Sequence, residues 1–83
     1  MIKITIEFYD RETELMIEGL DLEVPSELIY SATNSQNIEY INAHMFSVSK
    51  DMKTYILNKH PDYEAQFNRY DCDFIGRQGI EHT

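Results

Sequence analysis

Tryptophan is absent from the sequence, and cysteine, proline and glycine are scarce: one, two and three among 83 residues. The single cysteine, Cys72, excludes an internal disulfide framework and suits a reducing, cytoplasmic compartment. So little glycine and proline excludes a linker or a low-complexity chain. No apolar run approaches the ~20 residues of a membrane span. Residues 1–7 alternate polar and apolar, which is the pattern of a strand and not of a signal peptide. Cations are the scarce charge class, with seven Lys and Arg against fifteen Asp and Glu and a formal net charge of −8. That balance disfavours direct binding to DNA, RNA or an anionic membrane. Catalytic signatures are missing as well: there is no glycine-rich phosphate loop, Gly-x-Ser-x-Gly elbow, His-Glu-x-x-His or Cys-x-x-Cys. The expectation is a protein that is not an enzyme, with no cofactor and no metal.

Apolar residues at 42% and charged residues at 27% are ordinary for a folded domain. The length allows one domain, 1–83, which buries only about 60–65% of its unfolded surface. Ile2, Ile4, Ile6 and Phe8 alternate with Lys3, Thr5, Glu7 and Tyr9, the period of a half-buried strand. Asp10 to Thr13 suits a hairpin turn. Leu15 and Ile17 then alternate with Glu14, Met16 and Glu18, and the phase slips by one at Gly19, after which Leu20, Leu22 and Val24 carry the apolar side. A glycine at a phase change reads as a bulge, or as a turn into a third short strand. Pro25 stops the run.

Beyond it the period becomes helical. Ser26 is placed to cap a short helix through Ala32. Ile38, Ile41, Met45, Val48, Met52 and Tyr55 follow steps of three and four. One helix over 35–59 would be roughly 37 Å long, longer than so small a domain, and Ser49 offers a second cap. Two helices, over 35–46 and 50–59, are favoured, with one bent helix as the alternative. Pro61 then opens a last helix, along which Tyr63, Phe67, Tyr70 and Phe74 step by four, three and four before Gly76 ends it. The expected architecture is α+β: an N-terminal antiparallel hairpin over 1–24, with or without a third short strand. It packs against three or four helices over 26–75, and a tail follows over 76–83.

His44, His60 and His82 lack metal-ligand spacing. They read as the flank of an apolar stripe, a helix end and a tail residue. In Asp71-Cys72-Asp73 the carboxylates would diverge on a helix and align only in an extended chain. Acidic neighbours would raise the Cys72 pKa, so it reads as a half-buried thiol. Gly76-Arg77-Gln78-Gly79 matches a nucleic-acid-clamping Gly-x-x-Gly in outline only, with one arginine among acidic groups.

The informative feature is the distribution of charge. Residues 1–33 hold eight acidic side chains against two basic ones, residues 34–59 two against three, and residues 60–83 five against two. With Leu15 and Ile17 turned to the core, Glu14 and Glu18 face outward, joined by Glu7 on the paired strand and by Glu12 in the turn. Alternate strand residues lie about 6.6–6.8 Å apart, comparable to successive phosphates of a nucleic-acid strand. Tyrosine, present six times, is enriched at interface cores. Tyr9 falls on the polar face of the first strand, and Tyr30 and Tyr40 lie beside the helix stripes. The candidate partner surface is therefore Glu7, Tyr9, Asp10, Glu12, Glu14, Glu18, Tyr30 and Tyr40. The plainer reading of the same charge is solubility. In size and charge, and in no motif, the chain resembles phage-encoded anti-defence inhibitors that mimic nucleic acid, among them anti-restriction and anti-CRISPR proteins. That resemblance implies a non-enzymatic inhibitor that blocks a partner protein with a basic nucleic-acid-binding surface. The alternative is a small adaptor or subunit of an assembly, docked through an apolar helix face. Either reading allows a monomer or a homodimer.

Overall fold

Ile2, Ile4, Ile6 and Phe8 are buried on one face of the first strand, and the rest of the molecule is arranged to cover that face. In the computed structural model, which describes residues 1–78, strand β1 (Ile2–Tyr9) pairs with β2 (Met16–Val24) as a hairpin. Helix α1 (Ser26–Thr33), helix α2 (Ile38–Ala43), strand β3 (Met45–Ser47) and helix α3 (Lys50–Lys59) follow. A 3₁₀ turn (Pro61–Tyr63), helix α4 (Glu64–Arg69) and strand β4 (Asp71–Gly76) complete the described chain. The result is α+β: one antiparallel sheet in the order β2-β1-β4-β3, with β1 central, and four helices. Ile29 of α1, Ile41 of α2, Met52 and Ile56 of α3 and Phe67 of α4 join the strand residues in one core. Phe8 holds the Phe67 ring edge-on at 5.2 Å and stacks on Tyr63 at 5.9 Å.

The largest departure from expectation is β4. The stretch read as the second half of a helix through Phe74 breaks at Tyr70 and runs extended from Asp71. The same residues also alternate: Cys72, Phe74 and Gly76 face the helices, opposite Phe8, Ile6 and Ile4. Pairing with a central strand that would otherwise have an open edge outweighs the last turn of a helix. The helix expected over 35–46 is shorter for a related reason. It stops at Ala43, and Met45–Ser47 pairs with β4, placing Phe46 opposite Phe74. The region 26–75 is thus helical only in part. The two-helix reading of 35–59 holds, and Ser49 caps α3 by accepting from the Met52 amide at 3.2 Å. At α1 the capping position falls on Pro25, without a side-chain cap bond, so Ser26 is inside the helix and not its cap.

β2 corrects the expected phase. Leu15 and Ile17 do not reach the core; they are 66% and 49% exposed. Val24, Leu22, Leu20 and Glu18 stand opposite Ile2, Ile4, Ile6 and Phe8. The phase that turns three apolar side chains to the core beats the phase that would turn two. The irregularity lies at Ile17, skipped between the pairs Phe8–Glu18 and Tyr9–Met16, and not at Gly19. No third strand begins there; residues 20–24 continue β2.

Candidate functional site

All four helices contribute their buried residues to one side of the sheet. Its other side carries the odd-numbered residues of β1 and β4 and their partners on β2 and β3. Glu7 and Tyr9 stand there opposite Asp73 and Asp71, and Asp21 and Glu23 opposite Thr5 and Lys3. The face is acidic because the alternation of three strands delivers carboxylates to the side that no helix covers.

The turn adds to it. Asp10 accepts the Glu12 and Thr13 amides at 2.9 Å each, an Asx-type arrangement, and Glu14 takes a left-handed conformation at φ 61. Those amide bonds hold the Asp10 carboxyl below its ordinary value. Asp10 and Glu14 thereby join Tyr9, Asp71, Asp73 and Met45 around a shallow depression of about 340 Å³. Burial, Asp71 and Glu7 together push the Asp73 carboxyl up. Burial also raises the Tyr9 hydroxyl, aided by its 3.2 Å hydrogen bond to Glu7 Oε1. Arg69 lies near enough to favour the charged Asp10, and the Arg11 guanidinium lies 3.4 Å from Asp71, but both side chains of the latter pair are well exposed and such a pair contributes little.

Toward the other end of β1 the face forms a groove of about 720 Å³, lined by Lys3, Thr5, Met16, Asp21, Glu23 and Arg77 among others. Arg77 Nε donates to Thr5 Oγ1 at 3.3 Å, and Thr5 donates to Asp21 Oδ1 at 2.6 Å. This chain of bonds fixes Asp21 at the rim.

Of the residues singled out by sequence, Glu7, Tyr9, Asp10 and Glu14 come together. Glu12 is exposed in the turn beside them. Glu18 does not share this surface: it lies on the helix-covered side and accepts the Tyr63 hydroxyl at 2.9 Å, which raises that hydroxyl's pKa. Tyr30 is half-buried in the helical layer. Tyr40 sits apart on α2, 4.4 Å from His44 and 5.7 Å from Phe46 between ring centres. Asp71, Asp73, Asp21 and Glu23 belong to the site and were missed. The signal for the first two was the alternation of Asp71, Asp73 and Ile75 against Cys72, Phe74 and Gly76.

Cys72 is a half-buried thiol whose pKa burial raises, on a strand and not on a helix. Among the described residues no group of three or more His, Cys, Asp or Glu is placed to hold a metal ion, and no helix is long and apolar enough to cross a membrane. His82 and Gly79 lie outside the described residues. No family model matches the chain, and no curated protein or solved structure matches it.

Proposed function

We propose that this chain is a non-enzymatic binding protein whose uncovered acidic sheet face engages a basic surface of a partner protein. The surface in view is one that otherwise holds nucleic acid, and the effect is steric and electrostatic blockade, as in an anti-defence inhibitor. The observation that carries the reading is the opposition of Glu7 to Asp73, with Asp71 two residues along the same strand. Like charges directly opposite destabilise a sheet, and here they are held on rigid strands facing outward. Alternate carboxylates about 6.6–6.8 Å apart along a strand match the repeat of a phosphate backbone. Tyr9 and Met45 beside them add the adhesive apolar area that an ionic contact alone lacks. A reducing cytoplasm suits the free thiol of Cys72.

The test is affinity capture from a lysate of the natural host at two salt concentrations, using the wild type and the triple variant Glu7→Gln, Asp71→Asn, Asp73→Asn. Capture that is lost at high salt, lost in the variant and displaced by added DNA or RNA is the expected result. Salt-insensitive capture that the variant retains points instead to an adaptor docked through the aromatic group of Tyr40, His44 and Phe46.

A further inference from the structure

β2 is the outermost strand of the sheet, and among the described residues no strand pairs with its second edge. In an antiparallel edge strand alternate residues turn their N–H and C=O groups away from the sheet. Edges are ordinarily guarded against an added strand by lysine, by proline or by being short. The other edge of this sheet, β3, is guarded by its three-residue length. In β2 the guards sit only at its first end, in the irregularity at Ile17 and the inward charge of Glu18, which leaves residues 20–24 open. The strand runs nine residues, and its sequence MIEGLDLEV contains no lysine, arginine or proline. Pairing is regular from Glu18 to Val24.

The two sides of this edge differ in chemistry. On the helix side Leu20 and Leu22 pack against the core yet stay partly exposed, with no strand beyond them to cover their flank. On the open side Asp21 and Glu23 are exposed. A strand laid along residues 20–24 would therefore place aliphatic side chains beside Leu20 and Leu22 and the alternate residues beside Asp21 and Glu23. Met16 and Ile17, 54% and 49% exposed, lie beyond Glu18, with Met16 on the open side opposite Tyr9. A second copy of this chain is a poor occupant. Antiparallel pairing centred on Leu20 would set Asp21 diagonal to its own counterpart, and it would join two molecules of charge −8.

We propose that the free edge of β2 accepts an extended, cationic segment of the partner protein, alternating Lys or Arg with aliphatic residues, as a fifth strand of the sheet. This rests on the reading of a basic partner and adds that the contact is a main-chain ladder and not charge alone.

The test uses the full chain and two capped peptides of about eight residues, one alternating lysine and valine, the other with the same residues as a lysine block and a valine block. The alternating peptide is expected to bind about tenfold more tightly. Methylating its backbone nitrogens at one alternate set of residues should abolish that advantage, while methylating the other set should not. Asp21→Asn with Glu23→Gln should weaken the alternating peptide selectively, with an unchanged denaturation midpoint showing the fold retained. Hydrogen exchange of alternate β2 amides should slow in the complex. Equal affinity of the two peptides, or indifference to both methylated sets, overturns the edge proposal while leaving the acidic-face reading in place. Failure of both peptides to bind in low salt removes the cationic partner and the edge proposal together. A dimer in sedimentation that the Asp21, Glu23 variant tightens would assign the edge to a second copy and overturn the proposal as well.

Discussion

Glu7 on β1 and Asp73 on β4 stand directly opposite one another in the sheet, two carboxylates on the side no helix covers. Asp73 is held above the ordinary 3.8, first by burial and then by Asp71 and Glu7. The folded chain thus holds this proton more firmly than the unfolded chain does. The stabilisation is fully present below the unfolded value of 3.8 and is lost as pH rises through the higher folded value. Two acidic side chains directly opposite one another in a sheet work against the fold. Asp73→Asn should accordingly raise stability at pH 7 by up to about 1 kcal/mol. The gain should shrink as the pH falls toward and below 4. Urea midpoints of the two proteins at pH 7 and pH 4 measure this, and coincident midpoints at pH 7 would refute it.

The two described glycines of the sheet should respond oppositely to alanine. A methyl at Gly19 would meet Thr5 Cγ2 at 3.6 Å and Ile6 O at 3.8 Å, ordinary contacts, and neither Gly19 nor Gly76 has a positive φ. Gly19→Ala should stabilise by about 0.4–1 kcal/mol by restricting the unfolded chain. At Gly76 the methyl would fall 2.5 Å from Asn42 Oδ1 and 2.8 Å from Ile41 Cγ2, because α2 lies directly on this end of β4. Gly76→Ala should cost about 1–3 kcal/mol. Chemical denaturation of both variants checks the pair, and a loss at Gly19 would restore the bulge to that position.

Core and surface exchange places along the hairpin in a way that mutation should reveal. Ile6→Ala removes a fully buried side chain and should cost about 2–5 kcal/mol, a large share of the stability of so small a domain. Ile17→Ala, at the skipped position and half in water, should stay within about 0.5 kcal/mol. Comparable losses in the two variants would put Ile17 back in the core.

What was legible in the sequence was local. The alternation of β1, the short helix after Pro25 and the Ser49 cap each follow from a few neighbouring residues. β2 was legible only in part, since Leu15-x-Ile17 and Leu20-x-Leu22-x-Val24 are equally good strand patterns in opposite phases. The choice between them is made by β1, whose four buried residues pair with residues 18–24 and leave Ile17 unpaired. β4 was hidden because Phe67, Tyr70 and Phe74 satisfy a helical step while Cys72, Phe74 and Gly76 satisfy a strand step. Only the need of a central strand for a second neighbour, some sixty residues away in sequence, decides for the strand. The acidic site suffered the same fate. Its half on β1 and the turn was visible, and its half on β4 depends on a long-range pairing no local pattern announces.

The placement of Glu18 gives the sharpest functional prediction. It lies on the helix-covered side with the Tyr63 hydroxyl 2.9 Å away, whereas Glu7, Asp71 and Asp73 lie on the open side. Replacing Glu18 by Gln keeps an acceptor for Tyr63 and removes a charge that lies off the open face, so association through that face should be unchanged. The same conservative change at Glu7, Asp71 and Asp73 together removes three attractions of about 0.2–1 kcal/mol each without altering size or polarity. It should slow association with the captured partner and flatten the dependence of its rate on ionic strength. Free DNA should fail to bind the protein and yet compete with it for that partner. Association rates across a salt series for the wild type, the Glu18 variant and the triple variant test the assignment. Equal slopes for all three would take the open face out of the mechanism, and a slope that falls only in the Glu18 variant would move the contact to the helix side of β2.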